Sequence, residues 1–259
     1  MKLTIFSPHF DRHDNFPRLM WHLRRQLFRD FEFIFLDDHP TPEAKIWFDK
    51  NPMPFPVRYY FTNRRQGVQG VYMNVAPLRN MGFIEARTNR VMTIEPEMLL
   101  PNTITLDFYR TFRHLEAENR KAVIESSIVV LEAGPSDEIC HKSEKWKDTE
   151  YITSNIDKLK LGRYQYGFTT VWGMHKTDWD MIGRFKEDWA GWGGEDGEIA
   201  RRANDHGIFG IYANPVGALW DAPVHTDHPR PETYKAHGPV PVTHPVYIEY
   251  EPKGEWINE

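Results

Sequence analysis

The chain holds one cysteine, Cys140, among 259 residues. A single thiol excludes an intramolecular disulfide framework and a cysteine-rich zinc site, since each needs several. Long apolar runs are missing too: nothing approaches the ~18 consecutive residues that a membrane-spanning helix requires. Residues 1–20 contain Lys2, Asp11, Arg12 and Asp14 and no apolar stretch of the kind a secretory signal needs. The expected location is therefore cytoplasmic. Nor is there an excess of basic charge. With 32 Lys and Arg against 37 Asp and Glu the net charge is −5, which argues against a dedicated nucleic-acid binder with its basic footprint. Local basic clusters (Arg12, Arg18, Arg24, Arg25; Arg64, Arg65) leave room for a phosphate-bearing ligand. No internal repeat is visible.

What is present is ample apolar material for one large α/β domain, read from short apolar runs alternating with helical spacing. Leu3–Phe6, Phe31–Leu36, Val57–Phe61 and Val91–Ile94 read as strands, and Ala122–Leu131 as a fifth. Between them, helical patterns run from Asn15 through Leu27, from Thr41 to about Lys50, from about Asn74 to Glu85, and onward from about Thr103. Phe168–Trp172 reads as a strand leading to a helix from Thr177, and Ile208–Tyr212 as a last strand. Such alternation predicts a mostly parallel central sheet with helices on both faces. Residues 133–162, rich in Lys, Glu and Asp and without periodicity, read as a long surface loop. From Pro215 onward, eight of the 19 prolines and four histidines crowd together, a density that excludes helix or central strand. The expected organisation is one domain over 1–214, with 215–259 packed on it as a Pro/His-rich segment.

In parallel sheets ligands gather at the carboxyl ends of the strands. Three polar clusters fall there: His9 and Asp11 after the first strand, Asp37-Asp38 after the second, and Glu95-Pro96-Glu97 after the fourth. Further on, Trp189-Ala190-Gly191-Trp192-Gly193-Gly194-Glu195-Asp196 precedes a helical pattern. Glycine lets backbone approach a ligand closely, indole offers a flat apolar face with one N–H, and acids at a helix N-terminus are favoured by its free N–H groups. Together they describe a pocket for a hydroxylated ligand with a base aimed into it.

This last motif resembles the acceptor-side motif of β-1,4-galactosyltransferases and related GT-A-fold glycosyltransferases. The Ser7-Pro8-His9-Phe10-Asp11-Arg12 segment, followed by helix, strand and Asp37-Asp38, resembles family 2 glycosyltransferases, with His9 and Asp11 where Thr/Ser and Asn are usual. The resemblance implies a GT-A fold and transfer of a sugar from a nucleotide-sugar, of the UDP type, to an acceptor hydroxyl with inversion. It makes Pro8, Phe10, Arg12, Asp37, Asp38, Arg79, Asn80 and Glu95 donor-site residues. Trp189, Trp192, Gly193 and Gly194 become acceptor-site residues, with Asp196 the general base and Glu195 holding the acceptor sugar. Glu95-Pro96-Glu97 occupies the place of the family's Asp-x-Asp motif, which implies Mn²⁺ or Mg²⁺ on Glu97, completed by His225 or, alternatively, His228. The acceptor is left open among glycan, lipid-linked saccharide, protein and hydroxylated nucleobase. Two other readings stand beside it: a metal-dependent hydrolase or phosphoesterase using His9, Asp11 and His13, and a protein that binds a sugar nucleotide without turnover.

Overall fold

A computed structural model describes residues 1–9, 14–38, 42–61, 75–164, 168, 170–187, 194–213, 223–225 and 246–258. The chain begins with β1 (Leu3–His9), α1 (Phe16–Leu23), β2 (Phe31–Asp37), α2 (Pro42–Lys50), β3 (Val57–Phe61), α3 (Val75–Glu85) and β4 (Arg90–Ile94). There follow β5 (Met98–Leu99), α4 (Ile104–Glu118), β6 (Ala122–Glu125), β7 (Ile128–Leu131), α5 (Ala133–Cys140), a 3₁₀ turn at Lys145–Lys147, α6 (Thr149–Leu159) and β8 (Lys160–Tyr164). The remainder is β9 (Val171–His175), α7 (Lys176–Ile182), α8 (Glu195–Asp205), β10 (Phe209–Tyr212), β11 (Val224–His225) and β12 (Val246–Tyr250).

Eight strands form the main sheet in the order β10-β6-β9-β4-β1-β2-β3-β12. Strands β1 to β4 run parallel, as do β6 and β10, while β9 and the edge strand β12 run against their neighbours. Side chains alternate across a strand, and the core divides accordingly. Ile5, Phe33, Phe35, Met92 and Ile94 face α1, α2 and α4. Phe6, Ile34, Leu36 and Val91 face α3, α7 and α8. Because both faces are covered, β1 and β2 are buried along their whole length. Helix α3 comes so near the sheet that a Cβ on Gly82 would lie 2.5 Å from the Phe6 ring, so only glycine fits.

Four expectations need correction, the first being that the proline-dense segment from Pro215 excludes a central strand: β11, two residues long, is paired on one side with β5 and on the other with β7. Helix α1 stops at Leu23, four residues before Leu27, which is exposed. There the chain turns toward β2, and the buried Gln26 amide fixes the turn by donating to the carbonyls of His22 and Pro101. The apparent strand over 122–131 is two strands. It breaks at the buried Ser126-Ser127 pair, and β7 leaves the main sheet for a second sheet, β5-β11-β7-β8. Residues 133–162 are not a loop, since they form α5, the 3₁₀ turn, α6 and the start of β8. Ile139, Cys140, Ile152 and Ile156 bury against Val129, Leu131 and Leu99 in a separate small core. Their apolar positions are too few and too diluted by charge for the periodicity to stand out. Within the C-terminal segment, β12 pairs antiparallel with β3, and Trp256 packs on Phe31 and Phe55. Among the described residues no helix is long and apolar enough to cross a membrane.

Candidate functional site

The parallel register sets His9 beside Asp37, so the ends of β1 and β2 meet. His9 is fully buried between Phe16 and Phe35, ring centroids 5.8 and 4.8 Å away, with Nδ1 3.3 Å from Asp37 Oδ1. The hydroxyl of Tyr59, on β3, donates to Asp37 Oδ2 at 2.7 Å. Burial first, then the neighbouring carboxylate, pushes the Tyr59 phenol up, so it stays a donor. The Asp38 N–H donates to the His9 carbonyl at 2.9 Å, and Asp38 and Pro8 are buried as well. Pro8, Asp37 and Asp38 thus line up at the carboxyl end of the sheet. Phe10, Arg12, Asp11 and His13 lie outside the described residues.

Beyond β4, Glu95-Pro96-Glu97-Met98 is a tight turn closed by the Met98 N–H on the Glu95 carbonyl, 3.3 Å. Proline at its second position has the backbone angle such a turn needs. The turn brings two buried carboxylates out of one strand end: the Glu95 side chain is 16 % exposed and Glu97 is 8 % exposed. Strand β11 then lays His225 opposite Met98, next to Glu97 along the chain. Glu97 thus lies in the turn one residue before β5, and His225 on the neighbouring β11, although the His225 side chain and all of His228 lie outside the described part.

Helix α8 starts at Glu195. Gly194, its N-cap, has φ +92°, a left-handed backbone suited to glycine, and this sets Glu195 and Asp196 in the first turn. Trp189, Trp192 and Gly193 are outside the described residues. Arg202, nearly two turns further on, fixes α8 against the end of α7 by donating to the carbonyls of Ile182, Gly183 and Arg184 and pairing with Glu198.

These pieces converge on Arg79 of α3. Its guanidinium donates to Asp196, reaches Glu95 Oε1 at 3.1 Å, and lies 3.9 Å from Glu195 Oε1. The ring of Phe185 sits 5.3 Å from its centre. Arg79 is nearly inaccessible, and its Nε has no partner among the described residues. Burial pulls the guanidinium down, but Asp196, Glu95 and Glu195 together outweigh it and hold Arg79 above its ordinary value. Burial raises Asp196 to about 6, with Arg79 opposing and Glu195 adding. Burial likewise raises Glu95, against the pull of Arg79 and with Glu97 and Asp196 pushing the same way. Glu195 Oε2 is buried and has no partner among the described residues. Three carboxyls around one guanidinium, with Glu97 near Glu95, leave a surplus of negative charge in poorly solvated surroundings.

Asn80, expected at the donor, is 2 % exposed and occupied elsewhere. Its amide oxygen accepts from the Phe185 N–H, and its amide nitrogen donates to the Phe185 carbonyl and to Glu187, all at 2.8–2.9 Å. It holds the segment that leads toward the Trp/Gly motif. Phe185, Tyr59 and Arg202 were not legible as site-building residues, because an isolated aromatic or arginine carries no local signal of its distant partners.

No model of a protein family and no curated protein matches this chain. Solved structures do. Residues 1–349 of TarS from S. aureus are 13 % identical, with a TM-score of 0.54 over 87 % of this chain and 60 % of that one. Their complex with UDP-GlcNAc is 11 % identical, with a TM-score of 0.54 over 89 % and 60 %. The mannosyltransferase PcManGT from Pyrobaculum calidifontis, in complex with GDP-Man and Mn²⁺, is 13 % identical, with a TM-score of 0.53 over 87 % and 56 %. The present chain therefore spans about 60 % or less of these relatives' lengths. At such identity the likeness concerns the fold, which is of the GT-A type: a central, mostly parallel α/β sheet with helices on both faces.

Proposed function

We propose that this GT-A-fold chain is a glycosyltransferase that moves a sugar from a nucleotide-sugar, of the UDP type, to an acceptor hydroxyl with inversion. One observation carries the reading. Arg79 joins Glu95, at the end of β4, to Glu195 and Asp196, at the start of α8, across 16 and 117 residues of sequence. The stretch read as donor-side and the stretch read as acceptor-side thus share one cation. A binding protein has little use for a carboxyl held near 6 beside that cation, whereas a base serving near neutral pH does. His9, on which the hydrolase reading depends, is enclosed by aromatic rings and engaged with Asp37.

In this reaction the acceptor oxygen bonds to the anomeric carbon, the bond from that carbon to the diphosphate oxygen breaks with its electrons on the diphosphate, and the hydroxyl proton passes to Asp196. Glu195, with its buried unpartnered oxygen, accepts a hydrogen bond from the acceptor. Arg79 offers the diphosphate a forked donor. Asp37, Asp38 and Pro8 bound the nucleotide end, and Asn80 and Phe185 position the acceptor side.

Among the described residues no three His, Cys, Asp or Glu side chains gather into a metal cage. Mg²⁺ and similar hard cations are commonly held by one or two carboxylates plus substrate phosphates. The buried, surplus-negative Glu95–Glu97 turn fits that arrangement, with Glu97 as the protein ligand and His225 beside it on β11. A bound Mn²⁺ or Mg²⁺ supplies charge neutralisation for the departing diphosphate.

Calorimetric titration with UDP, with and without Mn²⁺, tests the donor site on wild type and Glu97→Ala. The expected result is metal-dependent binding that the variant weakens. Unchanged affinity of Glu97→Ala with Mn²⁺ present would remove Glu97 as a ligand.

A further inference from the structure

The charge arrangement around Arg79 suggests a step that the reaction scheme does not contain. Both terminal nitrogens of its guanidinium already donate to carboxylates, one to Asp196 and the other to Glu95. The third nitrogen, Nε, is buried beyond the reach of a ligand entering from solvent. Each terminal nitrogen keeps a second N–H, but a diphosphate drawing on them competes with Asp196 and Glu95 for the single positive charge of the guanidinium. Asp196, for its part, keeps its side chain 26 % exposed, so it is partly open to solvent yet tied to the guanidinium through one oxygen. A carboxylate hydrogen-bonded to a guanidinium is a weaker base than one released from it.

We propose that Arg79 is a latch: in the ligand-free protein it restrains Asp196, and an incoming diphosphate draws its terminal nitrogens away, so that donor binding arms the base. The proposal rests on the glycosyltransferase reading of the site and adds an order of events to it. The ion pair seen between α3 and α8 belongs to the resting state, and it breaks when the donor arrives. Once released, Asp196 is a partly buried carboxylate without its cation, which strengthens it as a proton acceptor at the moment the acceptor hydroxyl needs one. Without donor the base stays engaged.

Linkage supplies the test. If diphosphate and Asp196 compete for Arg79, removing the charge of Asp196 must tighten diphosphate binding. The affinity of UDP, with saturating Mn²⁺, is measured on wild type, Asp196→Asn and Glu195→Gln. Exchanging a charge-assisted hydrogen bond for a neutral one, which competes less, corresponds to a gain of about tenfold in Asp196→Asn. Glu195 lies at the same guanidinium, 3.9 Å away and without a hydrogen bond, so Glu195→Gln is expected to gain less than about twofold. Equal gains in the two variants would mean a general relief of negative charge and would overturn the latch, as would no gain in Asp196→Asn. A cycle with Arg79→Met closes the argument: the gain from Asp196→Asn disappears in that background if Arg79 is the object of competition, and its persistence overturns the proposal. Should Arg79→Met not fold, Arg79→Lys serves, since a single ammonium offers no fork and the gain is expected to shrink. Absence of UDP binding to wild type, with or without Mn²⁺, would remove the donor-site reading and the latch with it.

Discussion

Replacing Asp196 by asparagine should make the protein more stable, and increasingly so as pH rises. Burial lifts the Asp196 carboxyl from an ordinary 3.8 to about 6 in spite of Arg79. The folded state therefore holds a proton that the unfolded chain gives up between those two values, and stability falls as pH climbs through that window. The ionised carboxyl costs the fold about 3 kcal/mol above pH 6, at 1.36 kcal/mol per pH unit. About half of that cost is already present at pH 5, and none of it well below 3.8. Asparagine has nearly the same shape, can still accept a hydrogen bond from Arg79 and carries no charge. Its advantage over wild type should thus grow by about 1.4 kcal/mol between pH 5 and 7.5, or about 3–5 °C in melting temperature for a domain of this size. Urea denaturation of both proteins at the two pH values measures this double difference, in which the other titrating groups cancel. An advantage independent of pH, or one that shrinks as pH rises, would refute the reasoning. A stabilised but inactive variant is the signature of a site that holds a charge for function at the expense of the fold.

Two further predictions concern the scaffold. At the opposite end of the sheet, Arg58 donates twice to the fully buried Glu32 at 2.9–3.1 Å, and Thr4 and the Arg87 N–H complete that carboxylate's partners. Glu32→Ala leaves the buried guanidinium with only the half-buried Glu85 carboxylate, 3.6 Å away, as its counter-charge, and should cost about 2–4 kcal/mol in urea denaturation, a loss under about 1 kcal/mol contradicting the assigned role. Gly82→Ala drives a methyl group into the Phe6 ring, itself wedged against Phe83, and should cost about 1–3 kcal/mol; unchanged thermal stability would mean that α3 can retreat from the sheet.

Much of this architecture was legible in the sequence because its signals are local. Leu3–His9, Phe31–Asp37 and Val57–Phe61 are apolar runs of strand length ended by polar residues or proline, and a parallel sheet buried on both faces demands such runs. Glu95-Pro96-Glu97 and Gly194-Glu195-Asp196 stood out because turn and N-cap chemistry narrows the choice of residues. The second sheet was not legible. Between Ala122–Glu125 and Ile128–Leu131 the sequence shows only the short Ser126-Ser127 interruption, and three-dimensional pairing with Pro223–His225 and Lys160–Tyr164 is what assigns the second run to another sheet. Residues 133–162 hid two helices because that small layer buries few side chains and leaves its charged faces to solvent. Within the site, Arg79 could be named from its surroundings in sequence, but not its partners. Its position between two carboxylates 16 and 117 residues distant is a product of the fold. The same holds for Asn80, whose hydrogen bonds to the backbone of Phe185, 105 residues away, have no counterpart in its sequence neighbourhood.

The central claim is tested most directly by turnover. The chain would be incubated with Mn²⁺ and each of a panel of UDP- and GDP-sugars, and release of nucleoside diphosphate, with water as the default acceptor, followed from pH 5 to 8 for wild type and Asp196→Asn. The expected result is release from at least one donor, with kcat/KM at limiting donor rising with pH through about 6 as Asp196 of the free protein loses its proton, and release lost in Asp196→Asn. No release from any donor, or release at an undiminished rate in Asp196→Asn, would contradict it.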